Sequence, residues 1–141
     1  MKTHKSFCPV NLTMEIIGDK WTMLILRDII FHDRRHFNEL LRMSQEKIAS
    51  NILRDRLAML EKEGLVTKSK KNEDFHKQKV TYSLTDKSID LLPLMIESIK
   101  WSAKYEQVDK IKYKAALDLQ ASSRKQIEAL RNKLLREHVH R

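Results

Sequence analysis

The sequence predicts a mainly α-helical protein with a small β-hairpin, arranged as a winged helix-turn-helix domain with N- and C-terminal dimerisation helices. Three observations support this fold class. A short apolar helix from Phe37 is followed, after a polar break at residues 44–47, by a second helix with a leucine-lined face. Two segments rich in branched or aromatic residues come after Gly64. Only two glycines and two prolines occur in 141 residues, which is typical of a helix-rich chain.

Two helices are expected in the N-terminal part of the chain. Pro9 suits the first turn of a helix that runs to about Ile17, and Gly18 ends it. Asp19 is a good N-cap for a second helix from residue 20 to about residue 31. That helix is apolar nearly all round, so we expect it to be central. A basic turn follows at residues 32–36, with at most a brief strand before the next helix.

The second helix of the central motif has two different faces. Ala49, Leu53, Leu57 and Leu60 are four, four and three residues apart, which is the spacing of one buried helical face. The opposite face is mostly polar and comprises Ser50, Asn51, Arg54, Asp55, Ala58 and Lys62. Two helices joined in this way predict a helix-turn-helix that reads DNA. An ordinary helical hairpin with a solvated charged face is the alternative at this point.

The chain after Gly64 predicts a β-hairpin. Residues 65–67 and 80–84 are typical of strands, and residues 68–79 are expected to form a polar tip. The tip has a lysine excess over acid: Lys68, Lys70, Lys71, Lys77 and Lys79 against Glu73 and Asp74. A helix-turn-helix followed by a basic hairpin is a winged helix. Lysines on such a wing would contact phosphates and supply salt-dependent affinity without sequence information.

The C-terminal part predicts further helices. Thr85 or Asp86 can cap the next one, which Pro93 should kink or restart. We expect residues 1–106 to form the DNA-binding domain with its dimerisation helices, and residues 107–141 to form a C-terminal helical extension. The extension contains neither glycine nor proline and predicts a long exposed helix. Its nine basic and four acidic residues give +5 of the total charge of +9, and it suits packing against a partner subunit.

Composition sets limits on the partners and the location of the protein. The 28 basic residues outweigh 19 acidic ones, which favours polyanions, of which nucleic acid is the commonest. No apolar run approaches the ~20 residues of a membrane span, and the polar start does not resemble a secretory signal. One cysteine cannot form an internal disulfide, which fits a reducing compartment. The expected location is therefore the cytoplasm, without membrane attachment.

Several short motifs occur in a specific order over about residues 7–105. They are Cys8-Pro9, Ile17-Gly18-Asp19-Lys20-Trp21, Leu24-Ile25-Leu26-Arg27, Arg35-His36-Phe37-Asn38-Glu39-Leu40, Ile48-Ala49-Ser50-Asn51-Ile52-Leu53, Arg56-Leu57, Leu60-Glu61, Glu63-Gly64-Leu65-Val66, Tyr82-Ser83-Leu84-Thr85, Leu91-Leu92-Pro93 and Trp101. Together they resemble the HxlR-type winged helix-turn-helix regulators, distant relatives of the MarR-type regulators. The resemblance implies a homodimer, built from N-terminal and C-terminal helices, that binds an operator near a promoter. Ala49 and Ser88 depart from the usual serine and glycine of that family.

The candidate DNA-binding residues fall into two groups. Ser50, Asn51, Arg54 and Asp55 are the candidates for base edges or adjacent phosphates in the major groove. Asparagine suits adenine and arginine suits guanine, while Asp55 would either accept from cytosine or orient Arg54. The phosphate candidates are Lys47, Arg56, Lys68, Lys70, Lys77 and Lys79. In the alternative, the fold is a winged-helix protein-interaction module without specific DNA binding, and its lysines only confer solubility.

Cys8 is the residue that suggests regulation through a chemical reaction of its thiol. Members of the resembled family carry a cysteine here, and some use it to sense electrophiles or oxidants. A helix N-terminus and the nearby Lys2, His4 and Lys5 would favour its thiolate. A small core residue is the other interpretation. Any disulfide would have to join Cys8 to a second molecule of the protein or to a small thiol. The sequence does not identify an effector.

Other chemistry has little support in the sequence. His32 and His36 have helical metal-ligand spacing but lack further ligands nearby, and His138 and His140 belong to a terminus expected to fray. No phosphate loop or activated nucleophile is recognisable, so we expect neither enzyme activity nor a cofactor. The large aromatic residues Trp21, Phe37 and Trp101 are expected in the core.

Overall fold

The computed structural model describes residues 2–74 and 77–140, and it describes no side chains over residues 71–78. The chain forms two compact units, the first ending at Ser83 and the second beginning at Leu84. Over these described residues the architecture is mainly helical with a two-stranded antiparallel hairpin, which confirms the predicted fold class. The predicted functional division near residue 106 stays a prediction.

The described residues of the first unit form four helices and the hairpin. The elements are α1 (Pro9–Ile17), α2 (Lys20–His32), α3 (Phe37–Met43), α4 (Ser50–Lys62), β1 (Val66–Asp74) and β2 (Lys77–Leu84). The start of α2 is fixed by Asp19, whose carboxylate accepts from the backbone N–H groups of Trp21 and Thr22 at 3.0 Å. Helix α2 is central, as predicted, because Ile25, Leu26, Ile29 and Ile30 are all buried.

The hairpin is longer than the sequence predicted. Strand pairing runs through most of residues 68–79, so the prediction of a loop-like tip over that range was wrong. Backbone hydrogen bonds define an antiparallel ladder, and polar side chains can extend it beyond the apolar segment. Residues 33–36 form no strand, but the N–H of Tyr82 donates to the carbonyl of Arg35 at 2.8 Å. That bond fastens β2 to the segment leading into α3.

The second unit contains α5 (Asp86–Ile89), α6 (Leu92–Tyr105), α7 (Lys114–Gln120) and α8 (Arg124–His138). Thr85 caps α5 as predicted, and the helix restarts with Pro93 in the first turn of α6. The buried Ser88, one of the two family departures, completes a capping box with Thr85. The substitution is therefore compatible with the helix start.

The prediction of one long helix after residue 106 was wrong. The chain breaks between α7 and α8, where the Ser123 hydroxyl accepts from the N–H of Gln126 and the Gln126 side chain accepts from the N–H of Ser123. His138 is buried rather than frayed, since its Nδ1 accepts from the N–H of Leu84 at 3.0 Å. Helix α8 therefore packs against its own chain.

The predicted core aromatics are more exposed than expected. Trp101 is 60% exposed, and Trp21 and Phe37 are half-buried. Helix α6 buries a face that includes Leu92 and Ile96, so its other apolar residues point away from the unit's core. None of the helices within residues 2–74 and 77–140 combines the length and apolar character needed to span a bilayer.

Candidate nucleic-acid interface

One face of helix α4 is buried in the first unit, and the opposite face is exposed to solvent. Leu53, Leu57 and Leu60 are almost completely buried, as their spacing predicted. Ala49, the fourth residue of the predicted buried face, is exposed because it lies at the N-cap, before the helix begins. The polar candidates on the other side are all exposed: Ser50, Asn51, Arg54 and Asp55. Helix α4 begins at Ser50 without a side-chain cap, because Ala49 occupies the N-cap position. Its first backbone N–H groups therefore remain available to an anion such as a phosphate.

The turn between α3 and α4 is anchored to α2 by an ion pair. The Arg27 guanidinium donates two hydrogen bonds to the Glu46 carboxylate, at 2.7 and 2.9 Å. This bidentate contact holds the pKa of Glu46 at about 2, below its ordinary 4.5. Ser44, at the end of α3, donates to the same carboxylate at 3.2 Å. The pair fixes the turn that sets the angle between the two helices of the motif.

Arg27 also contacts a buried carboxylate on its own helix. Asp28 is 2% exposed and accepts from Arg27 at 2.8 Å, while Arg34 lies 3.5 Å away. Burial of a carboxylate is costly unless charged partners surround it, so these arginines are structural. The network thus connects α2, the basic turn after it and, through Glu46, the helix-turn-helix.

Lys47 occupies an unusual backbone conformation within this turn. Its φ of 54° lies in the left-handed region, where residues other than glycine are uncommon. The side chain is exposed, three residues before α4 begins. This position is consistent with a phosphate contact beside the N-terminus of α4.

Arg54 is held over an aromatic ring. Its guanidinium carbon lies 5.8 Å from the centroid of the Phe37 ring, within the range of a cation–π contact. Phe37 is the first residue of α3, so the contact joins the two helices of the motif at the exposed surface. It limits the directions in which Arg54 can extend.

Asp55 and Arg56 contact each other. Arg56 donates to Asp55 at 2.6 Å and also lies 3.7 Å from the Asp19 carboxylate. The hydrogen bond to Asp55 raises the pKa of the Arg56 guanidinium. Asp55 therefore orients Arg56 in this structure, and not Arg54 as one of the sequence hypotheses held. Two carboxylates already neutralise Arg56, which makes it a weaker phosphate candidate than the exposed lysines.

The hairpin presents its lysines to solvent. Lys68, Lys70 and Lys79 are exposed, whereas the side chain of Lys77 lies outside the described residues. His36 fixes the hairpin to the helix-turn-helix, because its Nδ1 lies 2.9 Å from the carbonyl oxygen of Val80. The polar face of α4 and the basic hairpin thus belong to the same compact unit.

Cys8 is exposed at the N-cap of α1. Its sulfur makes no capping hydrogen bond of normal geometry, but the backbone N–H groups of Asn11 and Val10 lower the pKa of the thiol. The nearby cations that were expected to stabilise the Cys8 thiolate are only partly available to it. Lys2 pairs with Glu63, and His4 lies 3.0 Å from Glu15. The helix N-terminus is therefore the main cause of thiolate stabilisation.

No group of three or more potential metal ligands occurs among the side chains that the structure describes. Two features of the site were not anticipated from sequence. The Arg27–Glu46 pair joins residues 19 positions apart, and Phe37 positions Arg54 across a helix boundary. Neither pair has a local sequence signal, because each depends on how the helices pack.

Comparison with known proteins places the chain in a family. The HxlR-like helix-turn-helix family matches residues 16–110. The chain belongs to this family. One similar protein is the HTH-type transcriptional regulator YdeP of Bacillus subtilis, which is 34% identical over 108 residues, covering 74% of this chain and 79% of YdeP. The protein is accordingly a transcriptional regulator of the helix-turn-helix type.

Solved structures show the same fold. A structure described as a MarR-family regulator from Porphyromonas gingivalis W83 has a TM-score of 0.60 and 31% identity, covering 74% of this chain and 99% of the other. The redox regulator HypR in its reduced form has a TM-score of 0.58 and 28% identity, covering 69% of this chain and 92% of HypR. The same fold therefore occurs in a protein named for redox regulation.

Proposed function

We propose that this regulator binds duplex DNA sequence-specifically as a homodimer, with α4 in the major groove and the hairpin on neighbouring phosphates. The observation that carries the proposal is the exposed row of Ser50, Asn51 and Arg54 opposite the buried leucines of α4. An asparagine and an arginine at successive turns can each form bidentate contacts with a base edge. Lys47 and the hairpin lysines Lys68, Lys70, Lys77 and Lys79 would supply the electrostatic part of the affinity.

Two exposed apolar faces support the homodimer. On α1 and the residues before it, Phe7, Val10 and Met14 lie on one face and are 48–79% exposed. On α6, Leu94, Trp101 and Tyr105 form another face and are 42–62% exposed. Contiguous apolar patches of this kind mark interaction sites in soluble proteins. A second copy would cover each face, and the two-fold symmetry would present two copies of α4 to two half-sites.

Removing charge from the hairpin tests whether it contacts the DNA backbone. Lys68→Ala combined with Lys70→Ala should weaken binding to all duplexes alike. The slope of log affinity against log salt should become shallower by about 0.9 for each phosphate that the hairpin no longer neutralises. Fluorescence anisotropy of a labelled duplex at several salt concentrations measures that slope.

The matched control removes the same charge from α8 by Lys125→Ala with Lys133→Ala, both exposed positions. We expect this control to keep the wild-type slope. Equal slopes in all three proteins would show that the hairpin does not contact phosphates. A wild-type protein without measurable affinity for duplex DNA would favour the alternative of a protein-interaction module.

Cys8 is proposed to make the regulator responsive to oxidants or electrophiles. The support is its exposure at a helix N-terminus with a lowered thiol pKa, together with the likeness to HypR. Diamide should oxidise two Cys8 thiols from different molecules to a disulfide, which alters the spacing of the two α4 helices and releases the DNA. Cys8→Ser should stay bound under the same treatment.

Two measurements check this prediction. Non-reducing electrophoresis should show a diamide-dependent covalent dimer for the wild type alone, and the alkylation rate against pH gives the pKa of the thiol. Suppose that the thiol pKa is ordinary, near ~8.5, and that the wild-type protein keeps its DNA under diamide. These results would show that Cys8 does not regulate DNA binding.

A further inference from the structure

Helix α8 ends in a buried histidine. His138 is the last residue of the helix and is 4% exposed, and Leu134, one turn earlier, is 2% exposed. Both residues belong to the second unit, in which α8 packs against α5. A polar ring is stable in such a place only when its nitrogens are hydrogen-bonded. The contacts of the His138 ring therefore decide how firmly the end of α8 is held.

The His138 ring accepts a hydrogen bond from the first residue of the same unit. The backbone N–H of Leu84 donates to Nδ1 at 3.0 Å, and Leu84 is 1% exposed. A nitrogen that accepts must have a free lone pair, so the docked ring is neutral and carries its proton on Nε2. Leu84 is also the last residue of β2. The bond thus fastens the end of α8 to the residue at which the hairpin ends.

Protonation of His138 would remove this bond. Both nitrogens of an imidazolium carry a hydrogen, so Nδ1 would meet the N–H of Leu84 donor to donor. The charge and the unsatisfied backbone N–H would both be buried, and each is costly. The C-terminal end of a helix attracts a protonated histidine, but that attraction persists when α8 moves away from Leu84. It therefore does not favour the docked arrangement.

The other charges on these elements are at the surface. The exposed or partly exposed residues are Lys79 on β2, Asp86 and Lys87 on α5, Asp90 after it, Glu97, Lys100 and Lys104 on α6, Arg131, Lys133, Arg136 and Glu137 on α8, and His140. Arg131 lies 3.0 Å from Asp90, which is a second fastening of α8. Exposed pairs of this kind contribute little and are screened by salt. Among the described residues of the second unit, the buried titratable side chain is His138.

We propose that His138 is an acid-sensitive latch, which holds the C-terminal extension on Leu84 at neutral pH and releases α8 when the ring is protonated. The latch lies beyond residues 16–110, which the family model matches. A docked form that accepts only the neutral ring becomes up to tenfold less favourable per pH unit below ~6.5, where a histidine titrates in a free peptide. Above that pH the latch is closed.

The protonation state of His138 is measured directly by NMR of the wild-type protein with ¹⁵N-labelled histidine. We expect the neutral ring at pH 7.5 to carry its proton on Nε2, with Nδ1 coupled to the amide of Leu84. A proton on Nδ1 at this pH would overturn the inference. This measurement needs no variant and so does not depend on how well a substituted chain folds.

Release of α8 is measured by hydrogen-exchange mass spectrometry of the full chain between pH 5 and pH 8. His138→Asn is the conservative variant, because its Oδ1 can accept from Leu84 and does not titrate. Protection of α8 in the wild type relative to His138→Asn should be constant above pH 7 and fall about tenfold between pH 6 and pH 5. His138→Phe has no acceptor, so its α8 should exchange at least tenfold faster than the wild type even at pH 7.5.

His140→Asn is the matched control, because it makes the same change at an exposed histidine two residues away. Its α8 should be protected as in the wild type at every pH. Comparing proteins at one pH removes the intrinsic pH dependence of exchange, and urea unfolding checks that each variant is folded. A ratio of wild-type to His138→Asn protection that does not change with pH, or wild-type protection in His138→Phe, would overturn the latch.

The effect of the latch on DNA binding depends on the proposed function. Release of α8 removes a contact from the last residue of the hairpin, so at pH 5.5 the wild type should bind duplex more weakly than His138→Asn. The two proteins should bind equally at pH 7.5, by fluorescence anisotropy. A protein that releases α8 in acid but binds no duplex would refute the DNA-binding function and support the latch. Equal binding at pH 5.5, with release of α8 measured, would refute the link to the hairpin.

Discussion

Arg54→Ala is expected to weaken binding to the preferred duplex by roughly 5- to 150-fold, which corresponds to ~1–3 kcal/mol for one bidentate base contact. Binding to random duplex of the same length should weaken far less. The reason is that Arg54 is exposed on the outward face of α4 and is directed by the Phe37 ring, so its guanidinium is available to a guanine edge. Fluorescence anisotropy titrations with the preferred and the random duplex measure the ratio of the two affinities.

Lys62→Ala serves as the matched control for Arg54, because it removes one exposed cation from the last turn of the same helix. It should leave the ratio of specific to random affinity unchanged. The free energy of unfolding should hardly change in either variant, since both side chains are exposed. An equal weakening on the two duplexes for Arg54→Ala would make Arg54 a phosphate contact and not a base-reading residue.

Glu46→Gln is expected to lower the free energy of unfolding at pH 7 by ~1–3 kcal/mol, because it removes the bidentate partner of Arg27. The pKa of Glu46 is lower in the folded chain, about 2, than its ordinary 4.5. Between these values the unfolded chain binds more protons, so this stabilisation is fully present above about pH 5 and disappears as the pH falls toward 2. The free energies of unfolding of the wild type and the variant should therefore converge in acid.

Urea unfolding of both proteins between pH 3 and pH 7 measures the convergence. Glu61→Gln is the control, because it neutralises an exposed carboxylate on α4 that is distant in sequence from Arg27. Its stability should stay close to that of the wild type throughout. A wild-type advantage over Glu46→Gln that is as large at pH 3 as at pH 7 would show that the ion pair is not what stabilises the turn.

Local signals predicted most of the first unit. Pro9 and Gly18 bound α1, Asp19 caps α2, and the spacing of the leucines in α4 identified its buried face. These features depend on residues close together in the chain, so the sequence alone is sufficient. The Ser123–Gln126 capping box is also a local signal, and it marks the helix start that separates α8 from α7.

Other features depend on packing and could not be predicted. Trp101 has the helical spacing of a core residue, but periodicity cannot distinguish a face that meets its own core from one left for a partner. The length of the hairpin depends on backbone pairing, to which the polar side chains of residues 68–74 give no clue. Lys2 and His4 are close to Cys8 in sequence, yet in the fold Lys2 pairs with Glu63 and His4 contacts Glu15.

The central claim is that two copies of α4 read DNA sequence, and selection of tight binders from a random duplex pool tests it most directly. We expect the full-length protein to enrich an inverted repeat with half-site centres about one helical turn, ~34 Å, apart. Arg54→Ala should lose preference at one position of each half-site. Recovery of a pool that remains random, while the wild-type protein is folded and dimeric, would contradict the claim.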